Sequence, residues 1–198
     1  MTPVLRTRAG AAIALPVDRW RREPTPGERS LLAGLPAPVL DVGCGPGRLV
    51  AALLASGRVA LGVDPAPAAV AETAARGGLA LRRSVFDRLP GEGRWASVLL
   101  MDGNVGIGGD PVALLRRVDD LLRRGGVAVV EVEGPGVASD RLDVRLDIGG
   151  PGSGPVGPWF PWARLSVADV ARTAAAAGLH TDDVVHADGR WFARLVAP

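Results

Sequence analysis

Val39-Leu40-Asp41-Val42-Gly43-Cys44-Gly45-Pro46-Gly47-Arg48-Leu49 reads as a short apolar strand carrying an acid, a glycine turn and a helix start. Glycines at alternate positions let the backbone turn tightly and leave no side chain where a ligand approaches. The helix expected from Arg48 to about Ser56 aims its N-terminus, with its partial positive charge, at whatever occupies the turn. A dinucleotide-binding turn needs G-x-G-x-x-G, with the third glycine one position later than here. The spacing G-x-G-x-G therefore counts against a nicotinamide enzyme.

Outward from this stretch, short apolar runs alternate with helical segments. Strands are expected at 38–42, 59–63, 80–83, 95–101 and 127–132. Helices are expected at 48–56, 67–76 and 111–122, with Arg123-Arg124-Gly125-Gly126 as a stop. Near-continuous apolar strands separated by helices predict a parallel sheet covered on both faces. Before it, Thr25-Pro26-Gly27-Glu28 has the wording of a capping box opening a short helix. After it, residues 134–165 break the alternation. Arg141 to Ile148 alternates polar and apolar, and with Val156 to Leu165 it predicts a hairpin-like excursion across Gly149 to Pro155. A helix is expected from Ser166 or Val167 to Ala177, with Ser166 as cap. Ala187-Asp188-Gly189 then marks the turn of a terminal antiparallel hairpin.

The opening stretch resembles motif I of the class I S-adenosylmethionine (SAM) dependent methyltransferases, close to V-L-D-x-G-C-G-x-G. The segment Asp102-Gly103-Asn104-Val105-Gly106-Ile107-Gly108-Gly109-Asp110 is similar to wording in small stand-alone actinobacterial members. The resemblance is close over residues 38–133 and topological over 166–198. It implies an α/β, Rossmann-like fold with a seven-stranded, mostly parallel sheet, helices on both faces and a terminal antiparallel β-hairpin. Residues 1–37 are then an N-terminal arm and cap helix. Residues 38–198 are the methyltransferase domain, with a substrate or lid insertion at about 134–165.

The same resemblance assigns roles at the strand ends. Asp41, Gly43, Gly45 and Gly47 would surround the methionine part of SAM. Asp64 would hold the ribose hydroxyls, and Asp87 the adenine amine. Phe86 is either a wall against the adenine ring or a core residue. Asp102 and Asn104 would lie where donor methyl and acceptor meet, and the glycines around them suit close approach to a ligand. Asp102, Asp110 and His186 are the candidate bases, His186 being equally readable as an exposed hairpin residue. Cys44 matches the family wording and implies no nucleophile. Trp159, Phe160 and Trp162 read as an apolar lid over the acceptor, and Trp20 as a packing anchor or a pocket wall.

Composition bounds these readings. The 198 residues suffice for one sizeable core, and no apolar run approaches a membrane span. Ala9 to Leu15 faintly imitates a signal peptide but lacks a cleavage pattern, so a cytoplasmic protein is expected. All 23 basic residues are arginine, a bias expected of a GC-rich bacterial genome. They are scattered among acids rather than gathered on one face, which argues against a nucleic-acid partner. One cysteine excludes an internal disulfide, and two histidines favour no metal site. The expectation is methyl transfer from SAM to a small-molecule acceptor, in a setting such as secondary metabolism, with S-adenosylhomocysteine as product. Methylation of RNA or protein, and SAM binding without transfer, are the alternatives.

Overall fold

The computed structural model describes residues 3–148 and 157–198. Its central sheet has seven strands in the order β10-β11-β7-β6-β3-β4-β5. These are β3 (Val39–Val42), β4 (Ala60–Val63), β5 (Ala80–Leu81), β6 (Trp95–Leu100), β7 (Leu122–Val132), β10 (His180–Ala187) and β11 (Arg190–Val196). The pairs β3–β4, β3–β6, β4–β5 and β6–β7 are parallel, and β11 closes antiparallel on β7 with β10 outside it.

Period-two alternation sends each strand's side chains to two cores. On one face, Leu40, Val42, Val98, Leu100, Ala128 and Val130 share a core cluster with residues of α5 (Pro111–Leu121) and α6 (Val170–Ala176). On the other, Val39, Leu99, Val127 and Val129 do so with α2 (Pro26–Ala33) and α3 (Arg48–Ala55). Both faces are dry, so every residue of β6 is buried and the strand reads as one apolar run. Burying each leucine or valine contributes roughly 1.5–3 kcal/mol.

Capping sets the helix starts. Thr25 and Glu28 form the expected reciprocal box at α2. At α5, Asp110 accepts from the amides of Val112 and Ala113, behind Pro111 at the first turn. Some boundaries differ from expectation. α5 ends within a residue of its expected stop, but β7 begins at Leu122 rather than 127, so residues 123–126 lie in the strand, and β5 ends at Leu81 rather than 83. The last helix starts at Val170, not 166 or 167, because Ser166 is held in a parallel bridge to Glu133 and its amide donates to Ser139 Oγ.

A second, four-stranded antiparallel sheet, in the order β2-β1-β8-β9, was not expected. It joins β1 (Val4–Thr7) and β2 (Ala12–Ala14) to β8 (Asp140–Asp147) and β9 (Phe160–Arg164). The pairing of β8 with β9 is the hairpin-like excursion read from the sequence; its crossing at Gly149 to Pro155, and Val156, lie outside the described residues. The N-terminal arm and the insertion, read separately, thus form one layer. Between β2 and α2 lies α1 (Val17–Arg21), and α4 (Pro67–Ala75) links β4 to β5.

Candidate active site

A cleft of about 250 Å³ opens at the carboxyl ends of β3, β4 and β6, lined by Asp41, Gly45, Asp64, Asn104 and Trp20 among others. The three turn glycines all have positive φ, but their surroundings differ. A Cβ on Gly43 would meet Asn104 at 2.6 Å, and one on Gly47 would meet Thr73 at 2.5 Å. At Gly45 it would meet nothing within 4 Å. Gly43 and Gly47 are therefore demanded by packing, and Gly45 leaves backbone bare toward the cleft.

Asp41 is buried beneath this turn. Burial pushes its carboxyl up to about 7, the nearby guanidinium of Arg48 opposing and the carboxylates of Asp102 and Asp64 adding to the rise. Burial likewise pushes the Cys44 thiol up to about 12, which leaves it protonated. Asp64 braces the turn, accepting from Gly45 N at 3.0 Å and Ala66 N at 2.8 Å, while remaining part of the cleft wall. Asn104 Nδ2 donates to the carbonyls of Val42 and Gly43 at 2.8 and 2.9 Å and so ties the end of β6 to the turn.

An apolar annex continues the cleft between Val63, Pro65, Phe86, Ile107 and Phe160. Phe86 is 47% exposed and flanks this annex, so it is not a core residue. Asp87 is not among the lining residues; its carboxylate accepts from Ser84 N at 2.9 Å and closes its own turn. Its neighbours Ser84, Val85 and Phe86 do line the annex.

Beneath the cleft lies a charge cluster that sequence reading missed. Arg48 bonds both oxygens of Glu28, at 2.6 and 2.7 Å, and Asp102 Oδ2 at 2.8 Å. Arg190 bonds Glu131 twice, Glu28 at 2.5 Å and Asp102 at 3.1 Å, and Arg19 reaches Asp102 Oδ1 at 3.0 Å. Burial works against the charge on Arg190, but the carboxylates around it raise its pKa. Asp102 sits at the expected meeting point with a φ of 56°, yet both its oxygens are taken by guanidiniums. It positions neighbours rather than standing free as a base. Arginine is too common in this chain for composition to have flagged these three. Glu28 was legible only as a capping acid, a role it also fills.

Across Asp102 and Trp162 lies a second cavity, of about 340 Å³, between the accessory sheet and the ends of β6 and β7. Leu5, Leu15, Arg19, Glu133, Arg164 and Leu165 are part of its wall. Two glycines of the 103–109 loop serve this layer: a Cβ on Gly106 would collide with Ala163 O and Trp162, and one on Gly109 with Pro161. Gly103 lines the second cavity and Gly108 the annex, where a Cβ would meet Phe86.

Trp162 lines both cavities and the annex, and Phe160 packs edge-on against it at 6.3 Å. Trp20 lines the first cavity from α1, which favours the wall reading. Trp159 lines none of these three; it is stacked between Arg8 and Arg145 at 4.5 and 4.6 Å and anchors the accessory sheet. His186 is also apart, exposed on edge strand β10 and stacked on Trp191, which removes it as a base. Asp110 caps α5 and pairs with Arg141, away from both cavities. Among the described residues, no group of three or more His, Cys, Asp or Glu could hold a metal, and no helix is long and apolar enough to cross a membrane.

Residues 39–126 match a family model described as a methyltransferase domain. No curated protein matches the sequence. Among solved structures, the chain is similar to a SAM-dependent methyltransferase from Bacteroides fragilis crystallised with S-adenosylhomocysteine. The identity is 22%, the match covers 100% of this chain and 89% of that one, and the TM-score is 0.79. It is also similar to the 1,6-didemethyltoxoflavin-N1-methyltransferase of Burkholderia thailandensis, at 21% identity, 91% and 80% coverage and a TM-score of 0.65. A sugar N-methyltransferase from Streptoalloteichus gives 23% identity, 91% coverage of both chains and a TM-score of 0.65.

Proposed function

We propose that this chain, whose residues 39–126 match a methyltransferase domain and whose fold is that of a SAM-dependent methyltransferase, is a class I methyltransferase that moves a methyl group from SAM to a small molecule. The observation that carries the reading is the meeting of two cavities at Asp102 and Trp162. The first fits SAM on its own features. Gly45 offers bare backbone, Asp41 a buried carboxylate for an ammonium, and Asp64 oxygens for a ribose diol. The annex beside Phe86 supplies an apolar slot suited to adenine. The second cavity is closed over by the accessory sheet and is of a size for a small acceptor rather than a polymer.

SAM supplies a methyl group already activated on sulfur. The protein's task is to orient the acceptor against it and keep water out, which in favourable model systems is worth roughly 7–11 kcal/mol. Arg48 and Arg190 fix Asp102 at the junction, and Asn104 fixes the glycine turn. Trp20 and Trp162 wall off solvent. A side-chain base is required only where the acceptor must lose a proton. Methylation of RNA or protein would call for an open, basic acceptor face, whereas this cavity lies behind β1, β2 and β9. The similar enzymes that modify toxoflavin precursors and sugars support a role in secondary metabolism.

Isothermal titration with SAM, S-adenosylhomocysteine and NAD side by side tests the reading. Binding of the two sulfur compounds alone is expected. Binding of NAD, or of none of the three, overturns it.

A further inference from the structure

We infer that the acceptor carries a basic amine and that Glu133 is the residue that selects it. This rests on the second cavity being the acceptor site.

Four guanidiniums in and around that cavity, of Arg19, Arg48, Arg164 and Arg190, are each ion-paired with one or more of four carboxylates: Glu28, Asp102, Glu131 and Asp140. Arg164, the cation electrostatically coupled to Glu133, already gives Nε and Nη2 to Asp140 at 3.0 and 2.6 Å. Glu133 is the fifth carboxylate, and its side chain has no hydrogen bond or ion pair with any described residue.

Its position is nonetheless held firmly. The amide of Glu133 donates to Leu165 O at 2.8 Å, its carbonyl accepts from Val167 N at 2.8 Å, and the residue bridges to Ser166. The backbone at the end of β7 thus places a half-buried glutamate in the wall of the cavity. A carboxylate in the wall of a partly closed, partly apolar cavity is best matched there by a group of opposite charge. With every nearby guanidinium engaged, the missing partner is a cation or strong donor on the ligand. An ammonium satisfies it best, through a charge-assisted hydrogen bond. A carboxylate or phosphate on the acceptor would be repelled.

The test uses the full chain loaded with S-adenosylhomocysteine and three probes of similar shape: benzylamine, benzyl alcohol and benzoate. Binding is followed by titration calorimetry or by tryptophan fluorescence, since Trp162 lines both cavities. Benzylamine is expected to bind about tenfold or more tightly than either other probe. In Glu133→Gln, of unchanged size but uncharged, that advantage disappears while affinity for S-adenosylhomocysteine stays the same. Equal or reversed ranking, binding of no probe, or an amine advantage that survives Glu133→Gln overturns the inference and leaves the cofactor reading standing. Failure to bind S-adenosylhomocysteine overturns both.

Discussion

Arg48 and Glu28 form a two-point ion pair, at 2.6 and 2.7 Å, in which their side chains are only 3% and 1% exposed. It fastens the first residue of α3, immediately after the glycine turn, to the first turn of α2. The turn's geometry therefore depends on a helix that precedes the matched residues 39–126 in sequence.

Removing one partner strands the other. Arg48→Met leaves Glu28 and Asp102 short of a cation and is expected to cost about 3–5 kcal/mol of stability. Glu28→Gln with Arg48→Met, which removes both buried charges, should recover part of that loss. Urea denaturation of the three proteins measures it, and a double mutant no better than Arg48→Met refutes the account.

Two buried carboxyls give the stability opposite pH slopes. Burial pushes the Glu28 carboxyl up, but hydrogen bonds from Arg48, Arg190 and the Thr25 amide outweigh it and hold it at about 2, from an ordinary 4.5. Its stabilisation is present above pH 4.5 and is lost as pH falls through 2. Asp41, raised from 3.8 to about 7, does the reverse: its contribution is full below 3.8 and is lost as pH rises through 7. The cofactor-free chain should thus lose stability between about pH 4 and 7, and Asp41→Asn should flatten that slope. Denaturant midpoints across this range give the answer; an unchanged slope in Asp41→Asn rejects it.

The turn glycines should separate stability from binding. Gly47→Ala forces a methyl onto Thr73 at a positive φ and is expected to destabilise by several kcal/mol, roughly. Gly45→Ala meets open space, so only the backbone cost of about 1–2 kcal/mol applies. Its methyl would occupy the cleft, and SAM affinity should fall by about tenfold or more. Thermal melts alongside SAM titration distinguish the two.

Among the aromatics, Trp162→Ala should lower turnover and weaken SAM binding, because Trp162 walls both cavities. Trp159→Ala should leave both intact and cost about 1–2 kcal/mol through its lost arginine stacking. His186→Ala should leave kcat unchanged at every pH. Steady-state kinetics on the three variants check this, and a large kcat loss in either of the last two contradicts the placement.

The parallel sheet was legible because strands dry on both faces leave a signature of unbroken apolar runs, as in β6 and at residues 127–132. Motif I was legible because packing and ligand approach each demand glycine there. The accessory sheet was not. Val4-Leu5-Arg6-Thr7 is four residues long, and its register partner Asp147 lies 143 positions from Val4. Period-two reading could have split the aromatic cluster: Phe160 and Trp162 share a face of β9, whereas Trp159 precedes the strand. The local bond of Asp87 was not legible either: a carboxylate three residues after Ser84 can close its own turn by accepting that residue's amide.

The pairing of β1 with β8 also dictates an order of events on the ribosome. Of its two described neighbours β1 can pair only with β2 until about 140 more residues are made. By then β3 to β7 and the helices between them have emerged and can have condensed around their local contacts. β1 is thus made before β3 to β7 and docks on β8 after them. The cleft at the glycine turn can take shape before the accessory sheet that walls the second cavity.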